Sequence, residues 1–226
     1  MNKLETTNQS EIEKVMKKVY YEFDTAVSYK IWVKNFALNL ENIWKEKSAK
    51  KLSENTVSDN AIVIGRGPSL KNHDHLNKLK NSNYNGAIIC TDGALITALK
   101  AGITPDRFPE FYVVTVDPRT ETIKFYNDKI ISEYNGKIKG VFSTVSNPDT
   151  VKKARESGIE IFWFHSLVDY NEGEKSFNQI SAMMVRAKNH NNGLPGLQTG
   201  GNVGTTSWFF GWRILTVLTI NLGQIC

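Results

Sequence analysis

Residues able to do chemistry gather where apolar runs end. Ala61–Leu70 reads AIVIGRGPSL: an apolar, strand-like run meets Gly65, Arg66, Gly67, Pro68 and Ser69, and a helix-like segment follows. Glycines let backbone N–H groups approach an anion closely, and a helix start adds partial positive charge. Pro68 suits a first helical turn, and Ser69 can cap it or donate to a phosphate. Arg66 has the fork that pairs with a phosphate through two hydrogen bonds. The segment lacks the third glycine of a dinucleotide fingerprint and is no Walker loop. It reads as a phosphate cradle or, more plainly, as a tight glycine turn capped by serine.

Three further segments repeat the theme. Cys90-Thr91-Asp92-Gly93-Ala94 places a carboxylate at the end of the next run. Asp92 is placed either to hydrogen-bond a ribose or base edge or to cap a helix. Within Val113–Pro118 a four-residue apolar run ends at Asp117, a ligand for magnesium because hard cations take oxygen, or else part of a strand-terminating turn, since Pro118 removes a ladder donor. Arg119 is a second phosphate candidate. Gly193–Thr206, GLPGLQTGGNVGTT, is rich in glycine and hydroxyls and opens an apolar helix-like stretch. Gly201, Asn202, Gly204, Thr205 and Thr206 are its anion- or sugar-binding candidates, with a long mobile loop as the bland reading. His165 ends a fifth run and is an acid–base candidate or a structural histidine. His73 and His75 read as surface, and the aromatic residues at 208–212 read as core.

The elements that must position these residues alternate. Strand candidates are Ala61–Ile64, Ala87–Cys90, Tyr112–Val116, Ile138–Phe142, Ile159–Phe164 and Thr219–Leu222. Helix candidates are Ser69–Lys80, Ala94–Ala101, Thr120–Tyr134, Asp149–Ser157, Lys175–Lys188 and Val203–Leu215. That order predicts an α/β fold, a mostly parallel sheet with helices on both faces. The strands are almost continuously apolar, as burial on both faces requires. Before them, Ile12, Val15, Val19, Phe36, Leu40 and Ile43 mark an apolar helical stripe. The chain thus divides into an N-terminal helical segment, 1–59, and an α/β domain, 60–226, with Ser48–Asn60 as a polar link. The chain stops soon after the last strand candidate, as a truncated α/β domain would.

Composition narrows the class. The 226 residues are 40% hydrophobic and 23% charged, with a net charge of +5. Those proportions exclude wholesale disorder and fibrous proteins. No stretch reaches the ~20 apolar residues of a membrane span, and the first thirty are too polar for a signal peptide. Two cysteines, Cys90 and Cys226, build no disulfide scaffold, and a buried thiol at Cys90 suits a reducing cytoplasm. The mild positive charge fits anionic small molecules rather than nucleic acid, whose arginine blocks and zinc-finger spacings are missing.

Together, Gly65-Arg66-Gly67-Pro68-Ser69-Leu70, Thr91-Asp92-Gly93-Ala94, Gly102–Asp106 with Val114–Pro118, and Gly201–Thr206 resemble the MptE-like domain family over about Asn60–Gly223. That family contains archaeal 6-hydroxymethyl-7,8-dihydropterin diphosphokinases and related motility-associated glycosyltransferases that transfer nonulosonic acids to flagellin. The resemblance implies a Rossmann-like core, a nucleotide or nucleotide-sugar donor, and often a divalent metal, for which the Mg²⁺ candidate ligand is Asp117. It places Gly65, Gly67, Pro68 and Ser69 on the donor phosphates, Asp92 and Asp117 beside them, and Gly201–Thr206 across the far side. The short acidic motif Val116-Asp117-Pro118 is more similar to the glycosyltransferase branch. A small-molecule or glycan acceptor follows from either activity. A non-catalytic nucleotide-binding or assembly module, self-associating through the N-terminal helices, is the reading of a different class.

Overall fold

The structure is a computed structural model that describes residues 25–168, 176–186, 193–199 and 201–222. The stripe residues from Ile12 to Val19, together with Gly200 and Cys226, lie outside the described residues. The strands are β1 (Lys47–Ser48), β2 (Asn60–Ile64), β3 (Ala87–Thr91), β4 (Phe111–Thr115), β5 (Lys139–Ser143), β6 (Glu160–Ser166), β7 (Gly196–Leu197) and β8 (Leu218–Leu222). The helices are α1 (Thr25–Lys45), α2 (Ser69–Asn72), α3 (His75–Lys80), α4 (Asp92–Lys100), α5 (Lys129–Ser132), α6 (Pro148–Glu156), α7 (Phe177–Arg186) and α8 (Val203–Phe210).

All pairings are parallel, in the order β1-β6-β5-β4-β3-β2-β8, with β7 beside the end of β6. Successive side chains of a strand point to opposite faces, and the core splits accordingly. Ile88 and Cys90 join the cluster under α1–α7, whereas Ala87 and Ile89 join the one under α8 and the 3₁₀ turn Ala49–Asn55. From β2 to β6 the connections cover one face. The return to β8, on the other side of β2, covers the opposite face through α8. Right-handed crossovers require this change of face when the direction of travel reverses. The reversal creates a switch point at β2, the place where open α/β sheets bind ligands at their carboxyl edge.

All six expected strands are present, and three helical expectations are revised. Ser69–Lys80 is two short helices, because Asp74 takes a left-handed conformation (φ 50°) between them. Thr120–Tyr134 is a 3₁₀ turn, Thr120–Tyr126, followed by α5; Asp128 restarts the helix by accepting from Ile130 N. Val203–Leu215 is α8 continued by a π turn from Gly211. A Cβ at Gly211 would stand 2.6 Å from Thr219 Oγ1 and 3.0 Å from Ile89 Cδ1, so only glycine lets this turn lie so close to the sheet. The polar stretch Ser48–Asn60 is no free link, since Ser48 pairs with Trp163 of β6 and Ala49 and Leu52 are buried. Cys90 is buried as expected, and burial pushes its thiol pKa up. Among the described residues no helix is long and apolar enough to cross a membrane.

Candidate functional site

The strands β4, β3 and β2 are neighbours, so the turns that leave them open side by side at the carboxyl edge. They form a cavity of about 730 Å³, whose walls include Gly65–Gly67, Thr91–Gly93, Asp117 and Asn202–Thr205. Three strand ends and the start of α8 converge there from positions up to 140 residues apart in the chain.

Each wall has a definite chemistry. Gly65 N donates to Leu222 O at 2.7 Å, which prolongs the β2–β8 ladder, and Arg66 and Gly67 beyond it line the cavity. The helix after the turn has only four residues and adds little dipole. The positive helix end comes instead from α8, where Asn202 Oδ1 accepts from Thr205 N at 2.9 Å. Arg66 lies over the Phe125 ring, 5.3 Å from its centroid, a cation–π contact that holds the guanidinium at the cavity mouth.

The carboxylates differ in surroundings. Asp92 is 5% exposed, and its Oδ1 accepts from Gly93 N at 2.7 Å. Burial pushes its pKa up to about 7; the Gly93 N–H works against this, and the charge of Asp117 adds to it. Thr91, not Asp92, occupies the helix-capping position, so Asp92 serves the first turn of α4 and the cavity at once. Asp117 is half-buried and pairs with Arg119, with Nε 2.9 Å from Oδ1 and Nη2 2.6 Å from Oδ2. Its Oδ1 also accepts from Arg119 N at 2.9 Å. Arg119, expected to reach phosphate, thus braces Asp117. Thr91 was missed by sequence reasoning. It is 2% exposed, it lines the cavity, and among the described residues its Oγ1 has no hydrogen-bond partner. A buried unpaired hydroxyl costs about 1–3 kcal/mol, so its position in a cavity wall points to a polar ligand. The only signal in the sequence was its place beside Asp92.

Asp92, Asp117 and Thr91 Oγ1 are hard oxygen donors, the set a Mg²⁺ ion accepts, with the ligand's own oxygens completing the sphere. Among the described residues no group of three or more histidine, cysteine or acidic side chains stands ready to hold a metal. The residues therefore fit a cation shared with a bound phosphate rather than one caged by protein.

Other expected site residues fall elsewhere. Pro68 lines the adjoining groove. Ser69 is half-buried in the first turn of α2 and is not among the cavity walls. Thr206 is fully buried and its Oγ1 donates to Thr199 O and Asn202 O, both at 3.1 Å, which fixes the loop rather than a ligand. Gly201 is exposed with φ 79° and supplies the turn into α8. His165 is not brought to the cavity. It sits at the end of β6, two strands beyond β4, in a separate pocket of about 190 Å³. Its Nδ1 is 2.9 Å from Thr144 Oγ1, and its Nε2 is 3.0 Å from Asn178 Oδ1 and 3.2 Å from Ser181 Oγ.

Among solved structures the chain is similar to the MAf glycosyltransferase from Magnetospirillum magneticum AMB-1, at 12% identity and a TM-score of 0.49. The match takes in 81% of this chain but 27% of that one, so the chain spans about a quarter of that protein. No curated protein matches. A family model described as "6-hydroxymethylpterin diphosphokinase MptE-like" matches residues 34–217, which extends the family pattern back from Asn60 into α1. With most of its length matched, the chain belongs to the MptE-like family.

Proposed function

We propose that the protein is a transferase that takes a nucleotide-activated donor with Mg²⁺ and, as a diphosphokinase, passes the terminal diphosphate of ATP to a hydroxymethylpterin. Family membership supports a transferase-type function. The observation that carries the reading is the meeting of Gly65–Gly67, Asp92, Asp117 and Asn202–Thr205 in one cavity. Arg66 and the start of α8 bind phosphate oxygens. Asp117, paired with Arg119, and Thr91 would hold the magnesium, which when bound neutralises developing charge on the phosphates. Asp92, with a pKa near neutrality, is matched to take the proton of the attacking hydroxyl. That hydroxyl oxygen forms a bond to the β-phosphorus, the bridge to the α-phosphate breaks, and AMP leaves. His165, in its own pocket, has no part in this step.

One observation favours a second reading. Asp92 and Asp117 are the carboxylates among the cavity-lining residues, and Arg119 already engages Asp117. Sugar transfer from a donor with a single phosphate, such as a CMP-linked nonulosonic acid, asks for fewer cation-bridged oxygens than diphosphate transfer. Incubation of the full chain with Mg²⁺, ATP and 6-hydroxymethyl-7,8-dihydropterin should yield AMP and the pterin diphosphate by mass spectrometry. Turnover of the CMP-sugar alone would replace the first reading with the second. Tight nucleotide binding without turnover of either would make the chain a binding module.

A further inference from the structure

A second opening adjoins the phosphate cavity. It is a groove of about 590 Å³ between α2–α3 and α4. Its walls include Leu70, Leu76, Ala94 and Ala101, and the exposed side chains of Lys71, Asp74, Asn77 and Thr97 also line it. Sequence pattern favours one continuous helix over Ser69–Lys80, and a continuous helix would have had no turn at Asp74. Asp74 instead holds φ 50° and ψ 41°, a conformation uncommon outside glycine that costs on the order of 1–3 kcal/mol. The break sets α3 off from α2, and the groove lies where the two short helices face α4.

The groove and the cavity share a wall. Arg66, Gly67 and Gly93 line both. At Gly93 a Cβ would stand 2.9 Å from Arg66 Cδ and 3.5 Å from Phe125 Cζ. Glycine there lets the Arg66 side chain lie back on Phe125, with its guanidinium at the junction of the two spaces. One space therefore gathers Asp92, Asp117 and the hydroxyls of Thr91 and Thr205, while the other sets apolar side chains beside the polar Lys71, Asp74, Asn77 and Thr97. Each has the ~300–1,000 Å³ typical of a ligand site. A nucleotide has the same two-part chemistry: anionic phosphates joined to a flat ring with apolar faces and hydrogen-bonding edges.

We infer that the groove between α2–α3 and α4 is the nucleobase subsite of the donor whose phosphates the neighbouring cavity takes, with Arg66 and Gly93 at the crossing. This rests on the phosphate-binding reading of that cavity. Thr97 and Asn77 are exposed on opposite walls, so either accepts a larger side chain without disturbing the core.

The test is calorimetric titration of the full chain, in Mg²⁺, with inorganic diphosphate and with ADP, GDP and CDP in turn. Thr97→Phe and, independently, Asn77→Phe should weaken the best-bound nucleoside diphosphate at least tenfold. Inorganic diphosphate should bind both variants within twofold of the wild type. Nucleotide affinity unchanged in both variants overturns the inference while leaving the phosphate cavity intact. Nucleotide and diphosphate weakened equally also overturns it. A loss of 6-hydroxymethyl-7,8-dihydropterin binding with nucleotide binding unaltered would give the groove to the acceptor ring instead. A wild type that binds neither inorganic diphosphate nor any nucleotide would remove the underlying reading as well.

Discussion

At Asp92 chemistry and stability pull in opposite directions. A carboxylate 5% exposed loses most of its hydration, and one N–H from Gly93 repays only part of it. The folded chain therefore prefers the protonated acid, with a pKa near 7 against about 4 in an unfolded chain. A raised carboxyl pKa contributes stability below pH 4 and loses it progressively as pH climbs through 7. Each unit of difference is about 1.4 kcal/mol, so the ligand-free protein should lose on the order of 2–4 kcal/mol between pH 4 and pH 8 on account of this one group. Asp92→Asn keeps an oxygen for the Gly93 N–H and cannot ionise. Relative to wild type its melting temperature should rise as pH goes from 5 to 8, by roughly 4–10 °C at about 2–4 °C per kcal/mol, while transferase turnover falls at least a hundredfold. Parallel melting curves for the two proteins across that range would show that Asp92 does not titrate there. A stability cost retained at a cavity wall is what a functional group in the wrong solvent looks like.

Asn35 and Asn39, one helical turn apart on α1, tie that helix to the carboxyl edge. Asn35 Nδ2 donates to Pro118 O at 2.8 Å and Val145 O at 3.0 Å, and Asn39 Nδ2 donates to Thr144 O at 3.2 Å and Ser146 O at 2.9 Å. The carbonyls belong to the turns after β4 and β5, and Pro118 directly follows Asp117. Asn35→Ala and Asn39→Ala should each cost about 1–3 kcal/mol, since buried carbonyls lose their donors. Only Asn35→Ala should also weaken nucleotide binding, because only it releases the turn that carries Asp117; equal affinity in both variants, by calorimetry, would dismiss α1 as a brace of the site. The apolar stripe of Phe36, Leu40 and Ile43 told of a helix face that must be covered. It did not tell that amides set into that face would reach turns 83 to 110 residues away. The two asparagines at a four-residue spacing were the visible signal. β1 was hidden for a related reason: Lys47 and Ser48 are polar, and a two-residue edge strand has no periodicity to read.

For the molecule as a whole, legibility followed burial. The central strands carry residues such as Ile88, Ile89, Val113 and Val114 that are buried on both faces, so their positions stood out as apolar runs, and the turns after them could be named before any coordinates. Short, exposed or bent pieces such as α2, α3 and the 3₁₀ turn at Thr120–Tyr126 were decided by tertiary contacts, which a local pattern does not carry. His165 misled because it ends a strand as Asp117 does, while strand order, which only pairing decides, sets it two strands aside. Strand order also determines how a ligand must act on the fold. The cavity exists only when β2, β3, β4 and the start of α8 are assembled, so a nucleotide that takes it would bind the folded chain and find no site on the unfolded one. Stabilisation then follows RT ln(1 + [L]/Kd), about 2.7 kcal/mol at a hundredfold excess over Kd, or roughly 5–11 °C of melting temperature for a chain of this size. Magnesium alone should shift it little, because Asp117 and Thr91 without phosphate oxygens leave the coordination sphere incomplete. ATP with magnesium should give the full shift, and Asp117→Asn should reduce it to that of ATP without metal. If Asp117→Asn leaves the magnesium-dependent part of the shift intact, the cation is held elsewhere and the carboxyl edge of β4 loses its assigned role.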